Sequence, residues 1–211
     1  MDAGFFRRWL ALAAAAVDRD AGRLTDLDSA VGDADHGSNL RRGFAAVTAA
    51  LDEQEPDTPG AVLQLAGRTL VSKVGGASGP LYGTLLRRTG KALGDAPEVG
   101  GEELRDALRE GVEAVARLGG GAAGDKTMLD ALLPAVDALP DTAAARTAAL
   151  GGAEATVPLQ ARKGRASYLG ERSKGHMDPG AASSALLIGA LDEAANGTDG
   201  TDGNGTVDGD G

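Results

Sequence analysis

The sequence predicts an all-α protein. Hydrophobic residues make up 42% of the 211-residue chain but aromatic residues only 3%, so the core must be built mainly from Ala, Leu and Val. Such a core suits closely packed helices, because Ala has the highest helix propensity whereas strands favour aromatic and β-branched residues. Apolar residues recur at helical spacing between glycine and proline breaks, and no convincing strand pattern is found.

Eight helices are expected, taken here in chain order. The first should begin after Asp2, a good N-cap, carry Phe5, Trp9 and Leu12 on one apolar face, and fade by Gly22. A loop over residues 24–37 should follow. Short connections predict that neighbouring helices are antiparallel. The seven further helices are expected at Ser38–Leu51, Gly60–Lys73, Gly79–Leu93, Gly101–Leu118, Lys126–Leu139, Thr142–Lys163 and Gly180–Ala195.

The composition divides the chain into one helical domain, residues 1–195, and a tail, residues 196–211. The tail consists almost entirely of Gly, Asp, Thr and Asn. It offers too little apolar surface to offset the entropy of ordering, so we expect it to be disordered.

Several functional classes are disfavoured by composition. The chain has no cysteine, which excludes thiol nucleophiles and cysteine zinc sites. Its net charge of −10 disfavours binding to nucleic acid. The N-terminal apolar run, residues 9–17, is too short to span a bilayer and lacks the features of a signal peptide. We therefore expect a soluble cytoplasmic protein with no membrane partner.

Three carboxylates lie within eight residues, at Asp28, Asp33 and Asp35, flanked by Gly32 and Gly37. On a continuous helix Asp33 would point away from the other two, whereas a tight turn at the glycines would bring all three together. Hard oxygen ligands suit Mg²⁺ or Ca²⁺. A solvated acidic loop is the alternative, and the spacing alone does not decide between them.

Two glycine-rich stretches each precede a helix, residues 75–84 and residues 119–132. Glycines let backbone N–H groups approach a ligand closely, and a helix N-terminus favours an anion. The second stretch has the order Gly…Gly-Asp-Lys-Thr, but it is not a P-loop, because Asp125 interrupts the motif and no strand precedes it. Flexible turns between helices are the alternative for both.

A cationic segment, residues 163–180, carries Arg165 and ends in the turn Asp178-Pro179-Gly180. Arg165 is a candidate for neutralising charge in a phosphoryl-transfer transition state. A surface loop with solvated charges is the alternative.

Together, residues 24–39, 75–84, 124–132 and 163–180 resemble the nucleotide-binding L subunit of dihydroxyacetone kinase, over residues 1–195 in order. The resemblance implies a closed barrel of eight antiparallel amphipathic helices, with ADP or ATP and two Mg²⁺ ions bound at one rim. It implies Asp28, Asp33 and Asp35 as metal ligands and Arg165 as the catalytic charge. The nucleotide-binding residues that it implies are His36, Gly37, Ser38, Asn39, Ala77, Ser78, Gly119, Thr127, Met128, Arg165, Asp178, Pro179 and Gly180.

The resemblance also implies partners. A K subunit would hold dihydroxyacetone, and because this chain has no K domain, a phosphotransferase-linked donor subunit is favoured. Homodimer formation stays open. Two other functions remain as alternatives: the L-type subunit of an ATP-dependent kinase for another small ketose, and a non-catalytic regulatory helical module, which would predict decayed aspartates.

Overall fold

The computed structural model describes residues 1–197, which form eight α-helices and one 3₁₀ helix. The described residues contain no β-strand, which confirms the predicted all-α class. The predicted disordered tail lies outside these residues, except for Asn196 and Gly197. The α-helices are α1 (Ala3–Val31), α2 (His36–Gln54), α3 (Pro59–Lys73), α4 (Ser78–Leu93), α5 (Gly101–Gly119), α6 (Leu129–Ala138), α7 (Thr142–Ala155) and α8 (Pro179–Asn196), and the 3₁₀ helix is Arg165–Ser173.

The helices form a closed ring. Each helix packs against the next along the chain, and α8 packs against α1. The interior is filled mainly by Leu, Val and Ala side chains. Trp9 is fully buried and its indole Nε1–H donates a hydrogen bond to the Leu187 carbonyl at 2.8 Å, which ties α1 to α8 where the ring closes. Within residues 1–197 no helix is both long and apolar enough to cross a bilayer.

The first helix is longer than predicted. It does not fade by Gly22 but continues to Val31, so Asp28 lies on a helix and not in a loop. Gly22 has open space around it, and a single exposed glycine in a helix costs only about 1 kcal/mol. The buried residues Leu24, Asp28 and Val31 continue the inward-facing stripe beyond it.

Other predicted boundaries also change. The seventh helix ends at Ala155, well before Lys163, and the 3₁₀ helix that follows was not predicted. The sixth begins at Leu129, because Lys126 has a φ of 63°, which a right-handed helix cannot contain. The last helix extends to Asn196.

Helices α3 and α4 approach closely at glycines. A Cβ added at Gly67 would lie 2.7 Å from the Gly83 carbonyl oxygen, and one at Gly90 would lie 2.6 Å from the Gly60 carbonyl oxygen. These contacts leave no room for a methyl group, so glycine is required there despite its low helix propensity.

We predict that Gly67→Ala lowers the free energy of unfolding by about 1–3 kcal/mol, because the added methyl group overpacks the α3–α4 contact. The matched control is Gly189→Ala in α8, where an added Cβ meets nothing within 4 Å. This control should be neutral or stabilising by up to about 1 kcal/mol. Urea unfolding of both variants measures the difference, and equal effects would show that the close approach is not required.

Candidate functional site

Helix ends gather around a cavity of about 430 Å³ at one end of the barrel. Its walls come from the C-terminal ends of α1 and α5, the N-terminal ends of α2, α4, α6 and α8, the connection between α3 and α4, and residues 163–166. N- and C-terminal ends alternate around the ring, as expected when successive helices are antiparallel. The volume is in the range of small-molecule sites.

The three predicted aspartates meet at this cavity. One carboxylate oxygen from each of Asp28, Asp33 and Asp35 lies within 4.8 Å of the others. Asp28 is buried, Asp35 is partly buried and Asp33 is exposed. The turn predicted at the glycines therefore brings them together, although Asp28 reaches the cluster from the last turn of α1.

Local backbone geometry explains this cluster. Asp28 Oδ2 accepts hydrogen bonds from the backbone N–H of Asp35 at 2.9 Å and of His36 at 3.2 Å. The Asp28 carboxylate thus accepts hydrogen bonds from N–H groups at the start of α2. The N-terminus of a helix favours negative charge. Gly32 makes room for it, because a Cβ there would lie 2.1 Å from Asp28 Oδ1.

The donor set fits a hard divalent cation. Like charges at this separation repel unless a cation lies among them. The only side-chain cation paired with the cluster among the described residues is Arg165, whose Nη1 lies 3.1 Å from Asp33 Oδ2. Carboxylate oxygens with open positions for water and phosphate are the usual environment of Mg²⁺.

His36 connects three parts of the wall. Its Nδ1 lies 3.1 Å from Ser78 Oγ and its Nε2 lies 2.9 Å from Ser183 Oγ. Burial lowers the pKa of His36, although the charges of Asp28 and Asp35 raise it. A neutral ring accepts at one nitrogen and donates at the other, so the α4 and α8 hydroxyls are joined through it. The hydroxyl of Tyr82, 2.6 Å from Ser183 Oγ, extends this network.

The two glycine stretches differ in the backbone donors that they leave free. Helix α4 begins after Ala77 with no side-chain cap, beside the cavity-lining Gly75 and Gly76. Ser78, the first residue of α4, lines the cavity, and the N-terminus of a helix can receive an anion.

The second stretch uses its backbone donors internally. Asp130 accepts from the N–H of Gly124 at 2.5 Å and of Thr127 at 2.7 Å, and Asp125 accepts from Ala122 at 2.9 Å. The role of Asp130 was not anticipated from the sequence. Its position early in α6, three residues after Thr127, is the signal that identifies it.

An apolar part of the wall was also missed by sequence reasoning. Met128 was predicted, but its apolar neighbours around the cavity were not. Leu118 lines the cavity and is 55% exposed, so its side chain is accessible to a bound molecule. These neighbours are Leu81, Val115, Leu118 and Leu129. Their position at helix ends beside glycines was the available signal.

Asp178 caps α8 from within the wall. It is buried, its Oδ2 accepts from the Ala181 N–H at 2.7 Å, and its own N–H donates to Thr156 Oγ1 at 2.9 Å. Burial raises the pKa of Asp178 from 3.8 to about 7; the Asp130 charge acts in the same direction, and the Lys126 ammonium opposes it.

Most of the predicted site residues line this one cavity, and three do not. Gly37 packs against α1, where a Cβ would lie 2.0 Å from the Ala21 carbonyl oxygen. Ser38 is exposed, and Asn39 accepts a hydrogen bond from Arg42. Those that line the cavity are Asp28, Asp33, Asp35, His36, Ala77, Ser78, Gly119, Thr127, Met128, Arg165, Asp178, Pro179 and Gly180.

Fold and site together define a closed helical barrel with a rim cavity that gathers three aspartates. Residues 30–193 match the DAK2 domain model. The chain is 45% identical over 184 residues to the "PEP-dependent dihydroxyacetone kinase 1, ADP-binding subunit DhaL" of Listeria innocua, covering 87% of this chain and 92% of that protein. It is 41% identical over 198 residues to the ADP-binding subunit DhaL of Escherichia coli, covering 89% and 94%.

A solved structure shows the same fold. The dihydroxyacetone kinase of C. freundii in complex with AMP-PNP and Mg²⁺ matches with a TM-score of 0.75 and 28% identity. The match covers 92% of this chain and 34% of that one, so this chain spans about a third of that kinase. The chain belongs to the DAK2 domain family, which confirms the predicted resemblance and the predicted kinase class.

We predict that Asp178 makes stability depend on pH between about 4 and 7. Because its pKa is raised on folding, the folded state holds this proton more tightly, and the resulting stability is lost as pH rises from 3.8 to about 7. Asp178→Asn keeps the helix cap but removes this titration. The free energy of unfolding of the native chain, relative to the variant, should fall across this window; a constant difference would contradict the raised pKa.

Proposed function

We propose that this chain is the ADP-binding subunit of a phosphoenolpyruvate-dependent dihydroxyacetone kinase. The observation that carries the proposal is the cluster of Asp28, Asp33 and Asp35 at the rim cavity, within a fold shared with proteins of that name. Residues 1–195 would form the nucleotide-binding domain.

The aspartates define the metal side of the site. Asp28, Asp33 and Asp35 would hold two Mg²⁺ ions, which when bound supply charge neutralisation at the phosphate oxygens. Asp28 accepts hydrogen bonds from two backbone N–H groups, so this ligand of the three is already held in place. Such preorganisation favours binding, because little order remains to be imposed.

The rest of the cavity suits the remainder of a nucleotide. The uncapped N-terminus of α4 at Ala77 and Ser78 would receive phosphate oxygens. The apolar wall around Met128 and Leu118 would cover the base. Arg165, at the rim beside Asp33, would neutralise charge that develops on the transferred phosphoryl group.

Both partners of the reaction lie outside this chain in the proposal. A K subunit would hold dihydroxyacetone and supply the acceptor hydroxyl and its base, so no residue here needs to act as a general base. A phosphotransferase-linked subunit would recharge the bound ADP.

We predict that Asp33→Asn weakens magnesium-dependent ADP binding at least about tenfold, or about 1.4 kcal/mol. A neutral amide is a poorer Mg²⁺ ligand than a carboxylate. Equilibrium dialysis with labelled ADP in Mg²⁺ buffer measures the change. Asp26→Asn is the matched control, since Asp26 is an exposed residue of α1 outside the cluster. Unchanged affinity in Asp33→Asn would overturn the metal assignment.

A further inference from the structure

Lys126 is a buried cation that the proposed chemistry does not use. The residue is 1% exposed, although it belongs to the cavity wall. Its ammonium group donates hydrogen bonds to the carbonyl oxygens of Thr156 at 2.9 Å and Leu159 at 3.2 Å, and to that of His176. A lysine ammonium has three N–H donors, so these carbonyls can occupy all of them.

The ammonium group is not held by a carboxylate. Among residues 1–197, no acidic side chain lies within ion-pair distance of it. Burial lowers the pKa of Lys126, while the charge of Asp178 opposes this. A charge in such surroundings is retained only when hydrogen bonds replace its water shell. The three carbonyls supply that replacement.

The backbone of Lys126 also indicates a required side chain. Its φ of 63° lies in the left-handed region, where glycine or asparagine is expected. A lysine in this conformation is strained, and the hydrogen bonds of its ammonium group offset that strain. The lysine of the Gly-Asp-Lys-Thr run therefore binds backbone carbonyls inside the protein, whereas a P-loop lysine binds phosphate.

The carbonyls that Lys126 binds belong to two separated stretches. Thr156 and Leu159 follow α7, and His176 precedes α8. The segment between them, residues 160–175, carries Arg165 and the 3₁₀ helix, and Asp178 lies two residues after His176. Lys126 thus joins the two ends of this segment through its hydrogen bonds to these carbonyls.

Two neighbouring hydrogen bonds also join the ends of this segment. The Gly175 N–H donates to the Val157 carbonyl at 2.8 Å, and Ser173 Oγ accepts from the Ala161 N–H at 2.9 Å. Most of the segment's charged side chains are nevertheless exposed to solvent, Arg165 among them. Besides its ion pair with Asp33, the position of Arg165 over the cavity therefore depends on how firmly the two ends of the segment are joined.

We propose that Lys126 is a positioning residue for the nucleotide site. By joining the ends of residues 160–175, it sets Arg165 and the Asp178-Pro179-Gly180 turn at the distance from the aspartates that a bound nucleotide requires. This inference rests on the proposed function, because it needs the cavity to bind ADP.

The test compares Lys126→Met with the core variant Val47→Ala. Methionine keeps the length and apolar stem of the side chain but removes its donors. Val47 is fully buried in the middle of α2 and does not line the cavity. ADP affinity in Mg²⁺ and amide hydrogen exchange by mass spectrometry are measured for both variants and the native chain.

Lys126→Met should bind ADP at least about tenfold more weakly, as loss of a supporting residue typically does. Its amide exchange should rise within residues 156–178 and stay unchanged in α2 and α3. Val47→Ala should keep native ADP affinity. Native affinity in Lys126→Met, or an equal loss in Val47→Ala, would overturn the positioning role.

Two further outcomes are distinguishable. If the native chain does not bind ADP, the proposed function itself fails. If Lys126→Met does not fold, Lys126→Gly replaces it, since glycine suits the φ of 63°. Failure of both to fold, while Val47→Ala folds, would show that Lys126 serves the whole fold and would overturn the proposal.

Discussion

The Asp28 carboxylate is the interaction on which the rim of this barrel depends. From its place in the last turn of α1 it accepts hydrogen bonds from the backbone N–H groups of Asp35 and His36, at the start of α2. The same carboxylate belongs to the aspartate cluster, and Gly32 leaves room for it, because a Cβ there would lie 2.1 Å from Asp28 Oδ1. His36, positioned by this junction, then joins α4 and α8 through hydroxyl groups.

The cavity at the rim is lined by both carboxylates and cationic side chains, although the protein as a whole is acidic. The chain carries a net charge of −10, yet Lys163 and Arg165 line the same cavity as the aspartates. An anionic ligand brought to an acidic protein needs metal ions or precisely placed cations to offset repulsion. Here Arg165 contacts the cluster directly, whereas Lys126 is fully engaged by carbonyl groups. The two cations therefore serve different purposes.

The class of the fold and the aspartate cluster could be predicted because each follows from local patterns. Apolar spacing indicates helices, and glycines between carboxylates indicate a turn. The extension of α1 past Gly22 was not predicted from the sequence. An isolated glycine destabilises a helix only weakly, and burial of the apolar residues that follow it offsets this cost. The buried position of Lys126 and the apolar wall at Leu118 could not be predicted. Both depend on which helix ends meet in the closed ring, and local sequence patterns do not show this.

The most direct test of the account is a calorimetric titration of the native chain with ADP, first in Mg²⁺ and then with the metal removed by EDTA. The account predicts one ADP bound per chain in Mg²⁺ and a loss of most of that affinity in EDTA. Equal binding in both buffers, or no binding in Mg²⁺, would contradict the assignment of the aspartate cluster as a metal-dependent nucleotide site.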